Sequence, residues 1–180
     1  LIKYPLSISQ HIEALKIMEE IHDYKGVADS YFFIGVIFKS INGYEKAISY
    51  FEKSAANYEM IKDTFGMNRA LNKIGHVTLD SKKNANPKEC VRLTFKAIKV
   101  YERTLDLIKR TKDKERLASN YVNLANAYLG LGHFTFEDER KRILEKSLNY
   151  SQTSFNIAQS IDDGSLMCVN LLNMGEANEI

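Results

Sequence analysis

Apolar and small residues recur along this chain at helical steps. Tyr31, Ile34, Gly35 and Phe38 fall on one face of a helix, and so do Tyr121, Leu124, Ala125 and Tyr128. No stretch alternates apolar and polar residues as a half-buried strand requires. The pattern predicts eight helices, over roughly 8–22, 25–41, 43–61, 65–80, 87–110, 113–131, 136–160 and 164–178. Cap and turn residues stand at the breaks. Asn42-Gly43 ends one helix and opens the next. Asn86-Pro87-x-Glu89 supplies a cap, a first-turn proline and an acid at the positive end of the helix. Ser7-x-x-Gln10 and Thr135-x-x-Asp138 read as capping boxes or near variants, and Asp63–Gly66 and Asp162–Gly164 read as turns.

The helices repeat. Residues 44–55 (YEKAISYFEKSA) return as TFKAIKVYERTL at 94–105 and LEKSLNYSQTSF at 144–155. Ala47, Ala97 and Ser147 are therefore fifty apart, as are Phe51, Tyr101 and Ser151, and Ser54, Thr104 and Ser154. A second series, offset from the first, runs Ile34-Gly35, Ile74-Gly75, Leu124-Ala125 and Met174-Gly175. Small residues at fixed register let two helices approach closely while larger neighbours fill the groove. The pattern thus predicts helix hairpins, with each small residue placed where paired helices meet.

Tyr31, Ile34-Gly35, Phe38, Ala47 and Phe51 together resemble the tetratricopeptide repeat, whose signature runs aromatic, Leu-Gly, Tyr, then Ala and Phe. Leu71, Ile74 and Gly75 continue it, with Thr78 where an aromatic is expected, and Leu171, Met174 and Gly175 begin a last unit. The step from Ala14 to Ala47 is thirty-three, near the usual period, whereas later units lengthen to fifty. The resemblance implies an all-α fold of antiparallel helix hairpins, stacked as a right-handed superhelix, or α-solenoid. A single array over 1–180 is expected, with units at about 8–22 (second helix only), 25–61, 65–110, 113–160 and 164–180 (first helix only). A lone second helix at one end and a lone first helix at the other suggest a segment of a longer solenoid, since arrays end in polar caps.

In this family the first helices line the concave face, and that face binds. By offset from the small residues, the resemblance implies a peptide-binding face of Phe32, Phe33 and Val36, then Arg69, Asn72, Lys73 and His76. Asn120, Asn123, Asn126, Asn170 and Asn173 continue it. An amide offers a donor and an acceptor together, so an Asn ladder suits recognition of an extended peptide main chain. Asparagines have that role in longer-repeat members such as kinesin light chains and bacterial peptide-responsive regulators. Phe32 and Phe33 would add an apolar subsite. The two-carboxylate clamp of chaperone-binding members does not fit: Asn72, Lys73 and Asn123 begin it, but Val169 and Asn173 stand where its last cations should be.

Composition adds little to this picture except in one region. The chain is 44% apolar and 27% charged with a net charge of +2, an ordinary soluble balance. Residues 82–116, however, hold twelve Lys and Arg against five Asp and Glu. Lys88, Arg92, Lys96, Lys99 and Arg103 fall at steps of 4, 4, 3 and 4, in one stripe along a helix that suits an acidic partner or a solvated face. No aromatic interleaves that stripe in the sequence pattern, so a nucleic-acid partner is not expected. YFFIGVIF at 31–38 is too short for a membrane span, which needs ~20 residues.

Catalytic chemistry is not expected. His11, His22, His76 and His133 are scattered, Cys90 and Cys168 have no neighbouring His, and no zinc, thiol-pair or phosphate-loop motif occurs. The expectation is a non-enzymatic scaffold without metal or cofactor that binds a protein or peptide segment. Its usage resembles bacterial arrays attached to sensor kinases or transcription regulators, which would make it the sensing or docking part of a larger signalling protein. The alternatives are a self-association module, giving a homo-oligomer, and a modulator of a kinase or response-regulator step. A cytoplasmic location is expected. Because the chain opens at Leu1, its true N-terminus is expected to be missing, which leaves a periplasmic sensor region as the alternative.

Overall fold

The computed structural model describes residues 3–179, so Leu1, Ile2 and Ile180 at the ends of the expected array lie outside the described residues. Eight α-helices follow one another: α1 (Lys3–Glu20), α2 (Tyr24–Ser40), α3 (Tyr44–Met60), α4 (Thr64–Asp80), α5 (Pro87–Ile108), α6 (Lys114–Gly132), α7 (Glu137–Ser160) and α8 (Gly164–Glu179). A 3₁₀ turn over Ser81–Asn84 lies between α4 and α5. No strand occurs among the described residues. The helices form two compact units, one ending at Ser81 and the other starting at Lys82.

One turn recurs. His22, Asn42, Lys62 and Asp162 take left-handed backbone, at φ 57–58°. The next amide then bonds back five residues: Asp23 to Met18 at 2.8 Å, Gly43 to Phe38 at 2.8 Å, Asp63 to Tyr58 at 2.9 Å and Asp163 to Ala158 at 3.0 Å. This closes orphan carbonyls at one helix end. In three of the four turns the same residue caps the next helix with its carboxylate, as Asp23 does for Gly26, Asp63 for Gly66 and Asp163 for Leu166. The turn explains why α2, α3 and α4 are each 17 residues long and start twenty apart. The stretched period belongs to the other unit, where α5 and α7 start fifty apart, as do α6 and α8.

Two of the expected helix starts differ. α1 begins at Lys3, so Ser7-x-x-Gln10 lies within the helix instead of capping it. α7 is preceded by Phe136, with no side-chain cap, and Thr135 donates instead to the Gly132 carbonyl at 3.3 Å. Thr135 stands one residue before the N-cap, so its hydroxyl is not at the capping position.

The hairpins α2–α3 and α6–α7 are two copies of one packing solution. Tyr50 contacts Tyr31 and Phe38, with ring centroids 6.1 and 5.4 Å away; Tyr150 contacts Tyr121 and Tyr128, at 5.9 and 5.6 Å. Lys46 lies over Phe38 at 5.3 Å, and Lys146 over Tyr128 at 5.2 Å. Ser54 donates to the carbonyl of Ala28 at 2.8 Å, and Ser154 to that of Ala118 at 2.9 Å. Both acceptors stand seven residues before the small residue of their helix, Gly35 or Ala125. Close approach is what the small residues permit. A β-carbon on Gly35 would come within 2.9 Å of the Phe51 ring, and one on Gly66 within 2.3 Å of the Tyr58 ring. Gly175 is the exception: it is exposed and a β-carbon there would meet nothing within 4 Å.

Candidate binding face

In the first unit Arg69 of α4 reaches across to α2. Its guanidinium donates to Asp29 at 2.9 Å and to the Tyr58 hydroxyl at 2.8 Å, and it lies 4.1 Å over the Phe32 ring. Tyr58 also donates to Asp29, and Lys25 pairs with the other carboxylate oxygen at 2.9 Å. Burial, then the hydrogen bond to Asp29, pushes the Tyr58 phenol up to about 12. Burial alone would raise the Asp29 carboxyl. Hydrogen bonds from Tyr58 and Lys25, with the charges of Lys25 and Arg69, outweigh it and hold the group below its usual range.

These contacts divide the residues expected on this face. Phe32 is buried, edge-on to Phe51 at 5.3 Å, and belongs to the core instead of an open subsite. Arg69 is committed to Asp29 and Tyr58, so it is a structural clamp more than a ligand-binding cation. Phe33 stays 48% exposed and stacks on His11 at 5.9 Å, and Val36 is exposed beside it. On α4, Asn72 donates to Asn68 at 3.0 Å, Lys73 is half-buried and His76 is exposed. Phe33, Val36, Asn72, Lys73 and His76 thus remain at the surface of this unit.

In the second unit α6 and α8 lie side by side, linked by His133 and Glu176 at 3.3 Å. Their asparagines have different fates. Asn170 is fully buried and donates to Ser154 Oγ at 2.9 Å and to the Leu166 carbonyl at 2.8 Å. Asn120, its mate fifty residues earlier, is 1% exposed. Asn173 is 8% exposed. Asn120 and Asn170 are therefore interior residues and not rungs of an open ladder. The reason is geometric: both stand sixteen residues after a buried hydroxyl, Thr104 or Ser154, on the helix packed against them. Asn123 is half-buried, and Asn126 is exposed.

The sequence reading missed three residues. Asp29 and Tyr58 complete the Arg69 clamp. The signal was present, because Asp29 and Arg69 stand six residues before Gly35 and Gly75, opposite charges at one register of successive first helices. The third is Phe95 on α5, which is 46% exposed and sits among the basic residues, where no aromatic was expected. Cys90 is buried and Cys168 exposed, both as free thiols.

Paired helices with a shared register define a helical-repeat protein. Residues 28–56, most of α2 and α3, match the family model of the tetratricopeptide repeat, so the chain carries such a repeat at that hairpin. Among solved structures, BtubC (BKLC) from P. vanneervenii matches with a TM-score of 0.69 and 14% identity. The match covers 98% of this chain and 66% of BtubC, so the chain spans about two thirds of that protein's length. The de novo designed helical repeat protein DHR81 matches with a TM-score of 0.55 and 13% identity, over 98% of this chain and 89% of the design. At such identities the likeness shows the fold alone, which is an all-α helical repeat of the solenoid class. No curated protein matches the sequence at a significant level. No helix among the described residues is long and apolar enough to cross a membrane.

Proposed function

We propose that the chain is a non-enzymatic scaffold that binds a peptide or protein segment on its first-helix faces. The observation that carries this reading is the surface of α6. There Asn126 is exposed and Asn123 half-buried, one helical turn apart, while the asparagines next to them in register are buried. Two amides a turn apart that reach the surface in whole or in part suit the alternating donors and acceptors of an extended main chain. The first unit has a face of its own, with Phe33 and Val36 as apolar surface and Asn72, Lys73 and His76 as polar groups. On this reading the segment is the docking or sensing region of a larger bacterial signalling or regulatory protein. The test is binding of peptides from a displayed library to the wild type and to Asn123→Ala/Asn126→Ala.

Self-association is the second reading, favoured by the outer face of α8, where Leu171 and Leu172 are 55% and 74% exposed. Sedimentation at rising concentration separates the two, because a monomer throughout the range removes the second.

A further inference from the structure

The basic residues of α5 stand apart from the first-helix faces. Lys88, Arg92, Lys96, Lys99 and Arg103 are all exposed, while Cys90, Thr94, Ala97, Ile98 and Tyr101 face inward. At about 100° per residue the five cations span an arc of roughly 80° and a length of roughly 22 Å. Phe95 lies at the edge of that arc, three residues after Arg92 and four before Lys99, so its ring is flanked by cations. Arg92 is engaged by Glu89 at 2.7 Å. Among the described residues Lys88, Lys96 and Lys99 hold no ion pair.

An exposed aromatic next to the unpaired Lys96 and Lys99 sets apolar contact beside charge, the pairing that interfaces use. We propose that this outward face of α5 is a second docking surface, which takes an acidic amphipathic helix with an apolar residue opposite Phe95. The helical steps of the cations favour that occupant, since carboxylates at steps of three and four on a helix lying alongside would meet them in register. A nucleic-acid strand is favoured less. Single strands use several stacking rings along a basic track, whereas this face offers one ring, and Glu89 and Glu102 lie beside it.

The probe is a fluorescein-labelled helical peptide of about twenty residues, with Glu at alternating steps of three and four and one central Leu. Anisotropy is read against the wild type, Lys96→Glu/Lys99→Glu and Phe95→Ala, each first shown to be folded by circular dichroism. Saturable binding is expected that weakens with salt, at least about tenfold weaker in the charge-reversed variant. Phe95→Ala should lose several-fold with its salt dependence unchanged. No binding by the wild type, or equal binding by the charge-reversed variant, overturns the proposal. So does tighter binding of a single-stranded DNA oligonucleotide than of the peptide. Asn123→Ala/Asn126→Ala should bind this probe as the wild type does, which keeps this test separate from that of the first-helix face.

Discussion

Asn170 on α8 donates to the hydroxyl of Ser154 on α7 at 2.9 Å, and Ser154 in turn donates to the carbonyl of Ala118 on α6 at 2.9 Å. Three helices are thus tied by one amide and one hydroxyl inside the second unit. This chain gives the recurring asparagines a packing role that spacing alone does not separate from a binding role.

Replacing Asn170 with Ala should therefore lower the unfolding free energy by about 1–3 kcal/mol, from lost hydrogen bonds and a small void. Asn126→Ala, at the surface, should stay within about 0.5 kcal/mol. Urea titrations of the two variants give the comparison, and equal stabilities would remove the seam from the account of the fold.

Gly35 and Gly175 hold the same register but differ in surroundings. Gly35→Ala drives a methyl into the Phe51 ring and should cost about 1–3 kcal/mol. Gly175→Ala meets open space in a helix and should stabilise by up to about 1 kcal/mol. Thermal melts should move in opposite directions.

The helices and their register were legible in the sequence because a hairpin repeat imposes both on every unit. Seven of the eight expected helices agree with the structure to within two residues at each end, and α1 departs from this by starting five residues early, at Lys3. The division of the face into open and buried residues was not legible. Asn120 and Asn123 are three residues apart on one helix, yet one is 1% exposed and the other half-buried. A rotation of about 60° about the helix axis decides between them, and the neighbouring helix sets that rotation. Phe95 was missed for a related reason, since aromatics in a repeat are expected to pack inward.

The Arg69 clamp gives the first unit a dependence on pH in the alkaline range. Tyr58 ionises near pH 12 in the folded chain against 10.0 for a free phenol. A group with a raised folded pKa favours folding fully below its unfolded pKa, and that contribution fades as pH rises through the folded value. Stability should fall between about pH 10 and 12 in the wild type and less steeply in Tyr58→Phe. Asp29 has the opposite sense. Its lowered pKa stabilises above the ordinary carboxylate range, and the contribution is lost as pH falls through the folded value, which Asp29→Asn should blunt. Chemical melts across both ranges check the two arms, and a wild-type slope retained in Tyr58→Phe would contradict the first.

The most direct test of the binding account is a displayed random-peptide library selected on the wild-type chain, with the enriched peptides then titrated against Asn123→Ala/Asn126→Ala. Enriched peptides should bind the wild type and lose at least about tenfold in the variant, with little demand on their own side chains. Enriched peptides that bind the folded variant as tightly as the wild type would contradict it and move the site away from the first-helix face of α6.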